Sequence, residues 1–141
     1  MSTVFTKVID GALPGRSVWS DERAVAFLSI NPLAPGHVLV VPREEVDHWV
    51  DAAPDLLAHL TAVAHAVGRA VRAVYDPPRV GLLVAGFEVP HLHLHVFPAD
   101  EPASFDFARA AATVDAAEQD GIRDALRAAL RDAGHGAHVP E

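Results

Sequence analysis

Residues 90–98 read Pro90-His91-Leu92-His93-Leu94-His95-Val96-Phe97-Pro98. Side chains on a strand alternate between faces, so this run sends His91, His93 and His95 to one side and Leu92, Leu94 and Val96 to the other. The apolar side anchors the strand in a core. The opposite side carries three imidazoles where an ordinary solvated face would mix hydroxyl and charged residues.

Working outward, the chain supplies the rest of a sheet. Ser17–Ser20 and Ala24–Ser29 are short strand-like runs joined by Asp21-Glu22-Arg23, a hairpin turn. Asn31-Pro32 and Pro35-Gly36 mark a rigid loop, because proline fixes φ and biases the residue before it away from helix. His37–Val41 is the next strand, ended by Pro42. Val80–Ala85 and Val89–Phe97 read as an antiparallel pair joined by little more than Gly86-Phe87-Glu88.

Two helices complete the pattern. Pro54 and Asp55 suit a first helical turn, and Leu56, Leu60, Val63, Val67, Val71 and Val74 then step by three or four residues until Asp76-Pro77-Pro78. Ile122, Leu126, Ala129 and Leu130 share one face of a second helix with Gly134 as its stop, and the last seven residues are expected to fray. The order predicts an α+β domain: an antiparallel sheet of about five strands, a long central helix and a C-terminal helix. Residues 1–98 form the domain that carries the histidines, and 99–141 form an extension within the same structural unit.

Composition excludes several classes of function. Eleven basic against nineteen acidic residues give a net charge of −8 in 141 residues, which argues against nucleic acid as a partner. The absence of cysteine removes disulfides, thiolate metal sites, CxxC redox chemistry and a cysteine nucleophile. The longest apolar segment, Leu56–Val74, is broken by His59, His65, Arg69 and Arg72, so no membrane span is expected. The first residues lack the continuous apolar run of a secretory leader, and a cytoplasmic location is expected.

Two chemistries compete for the histidine run. His-x-His on a strand can hold zinc. However, same-face residues stand about 6.5–7 Å apart, so all three cannot readily reach one ion. Two of them plus a residue from elsewhere remain a metal option. Imidazole catalysis is the alternative: near pH 7 a neutral histidine is both nucleophile and proton shuttle, and neighbouring imidazoles oppose one another's protonation. A phosphate group suits such a site, offering negative oxygens and a leaving group that needs a proton.

His91-Leu92-His93-Leu94-His95-Val96-Phe97 resembles the signature of the histidine triad (HIT) family of nucleotide hydrolases and transferases. The similarity runs over roughly residues 4–98. It includes Phe5-Thr6-Lys7-Val8-Ile9-Asp10-Gly11, Ala26-Phe27-Leu28-Ser29-Ile30-Asn31-Pro32 and Ala34-Pro35-Gly36-His37-Val38-Leu39-Val40-Val41-Pro42. The chain most resembles the small Hint-like branch, which implies a homodimer with its sheet continued across the interface. By that resemblance His93 attacks the α-phosphorus and forms a nucleotidyl-histidine. His91 and His95 orient it and stabilise phosphate oxygens or the leaving group, and His37 is a fourth active-site histidine. The resemblance also places a nucleoside against Phe5, Val8, Phe27, Leu28 and Ile30. Ser29, Glu88 and Val89 complete the substrate-side candidates.

The pattern is broken in three places. Ser29 stands where the family usually has an aspartate gripping the ribose hydroxyls, a loss of a charged bidentate acceptor. The loop before the triad is only Val84-Ala85-Gly86-Phe87-Glu88-Val89-Pro90, with Phe87 where a glutamine is expected and no counterpart of a phosphate-binding asparagine. Many bacterial relatives carry a structural zinc site beginning Cys-x-x-Cys; those positions are Thr3 and Thr6 here, and Glu45 takes a usual histidine position. No metal or other cofactor is therefore expected.

The expected activity is hydrolysis or transfer at the α-phosphorus of a purine nucleotide or nucleoside phosphoramidate. A non-catalytic nucleotide-binding or interaction protein with the same fold is the alternative, and a metal-dependent hydrolase ranks third. His48, His59, His65, His135 and His138 read as bystanders.

Overall fold

The computed structural model describes residues 2–141. Five strands form one antiparallel sheet: β1 (Ser17–Ser20), β2 (Ala24–Leu28), β3 (Val38–Pro42), β4 (Arg79–Leu83) and β5 (Leu94–Ala99). Their order across the sheet is β1-β2-β3-β5-β4, which leaves β1 and β4 at the edges. Three helices accompany it, α1 (Val4–Ile9), α2 (Pro54–Tyr75) and α3 (Ala116–Asp132). This is the α+β architecture that the sequence predicts.

The sheet's two faces are covered unequally, and that difference makes the site. Val38 and Val40 of β3 and Leu94 and Val96 of β5 bury against α2 through Leu60, Val63 and Val67, while Leu126 and Leu130 of α3 enter the same core. Val25 and Phe27 of β2 and Leu39 and Val41 of β3 face the other way and meet only Phe5 of α1 and a few partners. His95 lies opposite Leu39 in the β3–β5 register and so points to this second face.

Local chemistry explains the element ends. Pro54 sits at the first turn of α2, and Asp76 ends it in the left-handed region (φ +46°) ahead of Pro77. Asp115 caps α3 by accepting from the Glu118 amide at 2.9 Å. Gly36 adopts φ +94°, and a Cβ there would collide with the Tyr75 ring, so the turn that delivers His37 needs glycine twice over.

Three expectations are corrected. The strand read as Val89–Phe97 starts only at Leu94, and its partner is Arg79–Leu83 rather than Val80–Ala85. The link is therefore residues 84–93, not a three-residue turn. Pro90 has no N–H for a ladder, and the His91 and Leu92 amides donate to the Val89 and Val46 carbonyls instead. The last seven residues are anchored at two points rather than wholly frayed: His138 stacks on Trp19 at 4.8 Å and Val139 is buried, while Gly136, Ala137 and Glu141 are exposed. The α1 turn was not foreseen; Thr3 caps it by accepting from the Thr6 amide at 3.1 Å.

Candidate active site

Four histidines converge on the second face, and their hydrogen bonds fix where each proton sits. The Leu33 amide donates to His37 Nδ1 at 2.9 Å, so the neutral His37 ring carries its proton on Nε2. That N–H donates to His95 Nδ1 at 3.0 Å, which leaves the neutral His95 ring with its proton on Nε2. Burial is the chief reason both rings stay neutral, reinforced by His93 nearby. His37 is pushed down to about 4 and His95 to about 3 from an ordinary 6.5.

The second chain of bonds runs through the triad. A backbone carbonyl can only accept, so the Pro42 carbonyl at 2.7 Å from His91 Nε2 requires a proton on that nitrogen. In the neutral ring His91 Nδ1 then accepts from the Thr3 hydroxyl at 2.6 Å. The His91 carbonyl in turn accepts from His93 Nδ1–H at 2.7 Å. His93 Nε2 is left with an unshared pair, the form of imidazole that attacks an electrophile. Burial holds His93 below the ordinary histidine value, so the pair stays available at neutral pH. The Phe5 ring meets His93 edge-on at 4.9 Å, and His95 meets it at 4.8 Å.

A cavity of about 640 Å³ opens in front of these rings. His37, His93 and His95 line it. His91 does not: it is fully buried, with both ring nitrogens occupied, and cannot meet a ligand directly. Phe5, Val8, Phe27 and Leu28 form much of the apolar wall, and Ser29, Ile30, Glu88 and Val89 also reach the cavity.

A family model described as the HIT domain matches residues 10–102. The chain belongs to the HIT family. An uncharacterized HIT-like protein of Helicobacter pylori is 33% identical over 102 residues, covering 70% of this chain and 97% of its own. Among solved structures, a zinc-bound histidine triad family protein from Mycobacterium smegmatis aligns with a TM-score of 0.80. It shows 26% identity, with 96% of this chain and 98% of that one covered. A hypothetical histidine triad nucleotide-binding protein from Sulfolobus tokodaii gives the same score at 26% identity, with 91% of both chains covered.

The fit between this HIT chain and its family pattern is uneven around the cavity. Ser29 Oγ accepts from the Asn31 amide at 3.1 Å, and the Ser29 carbonyl accepts from the Gln119 side chain at 3.1 Å. The aspartate of the family pattern is thus replaced by a short hydroxyl next to a buried amide. Phe87 is 96% exposed and does not line the cavity. The resemblance ends at Pro98, and residues beyond it also wall the cavity. Phe107 packs on His95 at 4.9 Å, while Asn31 Nδ2 binds the Ala111 and Ala112 carbonyls at 3.1 and 3.2 Å. Of the five histidines set aside, His59 pairs with Asp21 at 2.8 Å, and His135 and His138 pack on Trp19.

Proposed function

We propose that this HIT protein hydrolyses or transfers at the α-phosphorus of a purine nucleoside phosphoramidate or related nucleotide, with His93 as nucleophile. The observation that carries the reading is the proton order of the triad: Nδ1–H of His93 is spent on the His91 carbonyl, and Nε2 keeps its pair. The cavity has the size of ordinary small-molecule sites and an apolar wall for a base.

The reaction runs in two displacements. His93 Nε2 bonds to phosphorus as the P–N bond of the phosphoramidate breaks, its electron pair leaving with the nitrogen. That nitrogen departs as an amine after taking a proton from solvent. The His93 ring becomes cationic, and the His91 carbonyl that accepts its Nδ1–H stabilises the charge. Water then bonds to phosphorus, its proton returns to solvent to balance the one given to the amine, and the P–Nε2 pair returns to His93, so one water is consumed overall. His95, with its proton on Nε2, is a donor to the phosphoryl oxygens, and His37 holds it in that tautomer.

Zinc, present in the Mycobacterium smegmatis relative, does not suit the residues here. Structural zinc is held by thiolates and imidazoles, whereas the chain offers Thr3, Thr6 and Glu45 at the positions in question. Among the four site histidines only His93 Nε2 has an unshared pair that no hydrogen bond uses. No group of three or more His, Asp or Glu among the described residues is arranged to hold an ion.

Purified protein incubated with adenosine 5′-phosphoramidate is expected to release AMP, and His93→Ala to lose at least about a thousandfold in kcat. The variant should still bind AMP in calorimetry. Equal turnover by the variant would sink the mechanism; AMP binding by wild type without turnover of any phosphoramidate would favour a non-catalytic nucleotide-binding protein.

A further inference from the structure

The nucleophile stands on a piece of chain that the sheet does not hold. β5 starts at Leu94, so His91, Leu92 and His93 lie outside the strand ladder. Something else must fix the carbonyl that orients His93. Three polar residues gather around His91 from remote parts of the chain, two from the α1 turn and one from the loop after β3.

We propose that Thr3, Thr6 and Glu45 form a metal-free hydrogen-bond clasp that locks the His91 ring and, through its carbonyl, the attacking geometry of His93. They are positioning residues for the reaction proposed above, and the proposal rests on that reading for its kinetic part only.

The proton count runs in one direction. Glu45 Oε1 accepts from the Thr6 hydroxyl at 2.5 Å and from the Thr3 amide at 3.0 Å. An ionised carboxylate cannot donate, so the single hydroxyl proton of Thr6 is committed to it. Thr3 Oγ1 accepts from the Thr6 amide at 3.1 Å, and its single proton has two acceptors in reach, Thr6 Oγ1 at 3.2 Å and His91 Nδ1 at 2.6 Å. The imidazole nitrogen is the closer by 0.6 Å and takes the proton. With Nε2–H on the Pro42 carbonyl, the ring is gripped at both nitrogens and has one tautomer available. The bonds from Thr6 and Thr3 hold the Glu45 carboxyl below its ordinary range, so the clasp stays charged at neutral pH.

The same contacts tie α1 down, and α1 carries Phe5, whose ring meets both His91 and His93 edge-on. In metal sites, side chains that hold a histidine through its second nitrogen matter about 10- to 100-fold, and the same order is expected for this clasp. Where relatives of the resembled pattern place zinc ligands, this chain places a hydroxyl pair and a carboxylate that satisfy one another.

The test uses the full-length protein with ¹⁵N-labelled histidine at pH 7.5, as wild type, Glu45→Gln, Thr3→Val and Thr3→Ser. Side-chain nitrogen spectra should show wild-type His91 as the Nε2–H tautomer and His93 as Nδ1–H. Thr3→Val and Glu45→Gln should shift the His91 Nδ1 signal and bring His93 into exchange between tautomers, while His37 and His95 stay unchanged. Thr3→Ser should restore the wild-type pattern. With adenosine 5′-phosphoramidate as probe, Thr3→Val should lose about tenfold or more in kcat with little change in KM. If wild type does not turn over the probe, the functional reading fails while the spectra still decide the clasp. Unchanged His91 and His93 signals in both Thr3→Val and Glu45→Gln would overturn the proposal. So would equimolar zinc that raises the wild-type melting temperature and shifts the His91 signals.

Discussion

His37 and His95 sit under burial strong enough to hold them near 4 and 3, and this has a direct consequence for stability. In the unfolded chain both imidazoles protonate near their ordinary value of 6.5, whereas the native pair resists. As pH falls below 6.5 the unfolded state therefore binds more protons than the native state, and each ring lowers stability by about 1.4 kcal/mol per pH unit. The loss continues until the native rings themselves titrate; above about pH 7 neither contributes. Urea unfolding of His37→Asn between pH 6 and 4.5 should show a slope shallower than wild type by about 1 kcal/mol per pH unit. The asparagine offers a donor and an acceptor without a titrating proton. Parallel slopes would show that His37 already protonates in the native state, and the tautomer order of the site would then be wrong.

Edge strand β4 shows how tightly an element can be committed to the site behind it. Gly81 pairs with Phe97, and a Cβ at this position would come within 2.6 Å of the Phe97 ring and 2.9 Å of Phe105. Phe97 also packs on His37 at 5.3 Å and on Phe105 at 4.9 Å. Gly81→Ala is expected to cost about 1–3 kcal/mol by overpacking, read as a lower urea midpoint with an unchanged m-value. An alanine variant as stable as wild type would mean that the Phe105 turn gives way freely. Elements differ in how far the sequence exposes them. The 3.6-residue period over Leu56–Val74 and the Asp76-Pro77-Pro78 stop made α2 readable almost to its ends, because periodicity and cap chemistry are local. The histidine alternation also read correctly as a face, since Leu92 and Leu94 do enter the core opposite His93 and His95. It could not reveal that the ladder starts only at Leu94, because alternation persists in extended chain that pairs with nothing. Six-residue α1 was too short for a periodic signal. Gln119 and Phe107 were invisible for another reason: their roles arise from contacts with Ser29 and His95, which no local pattern encodes.

At the scale of the molecule, α2 closes one face of the sheet and the other carries the cavity, while the β4 edge is unpaired among the described residues. Among the described residues β4 pairs only with β5, so its outer backbone groups are free to extend the sheet. Beside it a groove of about 480 Å³ runs between β4 and α2, floored by Val80, Leu82 and Val96 and rimmed by His65, Arg69 and Arg72. Leu82 is 52% exposed there, and its neighbours Val80 and Leu83 are only half-buried. We propose that a second copy of the chain pairs with β4 across a twofold axis, as the family resemblance implies, so that α2 of each copy packs beside the other. A twofold arrangement makes the contact self-complementary: each Leu82 meets the same surface it belongs to. Sedimentation equilibrium should therefore give twice the 15.0 kDa chain mass at micromolar concentration. Leu82→Glu buries two like charges at that axis, and it should weaken association by roughly a hundredfold and yield monomer. The cavity lies on the opposite face of the sheet from α2, so this variant's His93 and His95 spectra should match wild type. A wild type that sediments as 15.0 kDa at tens of micromolar would remove the dimer; a Leu82→Glu dimer would move its interface away from β4.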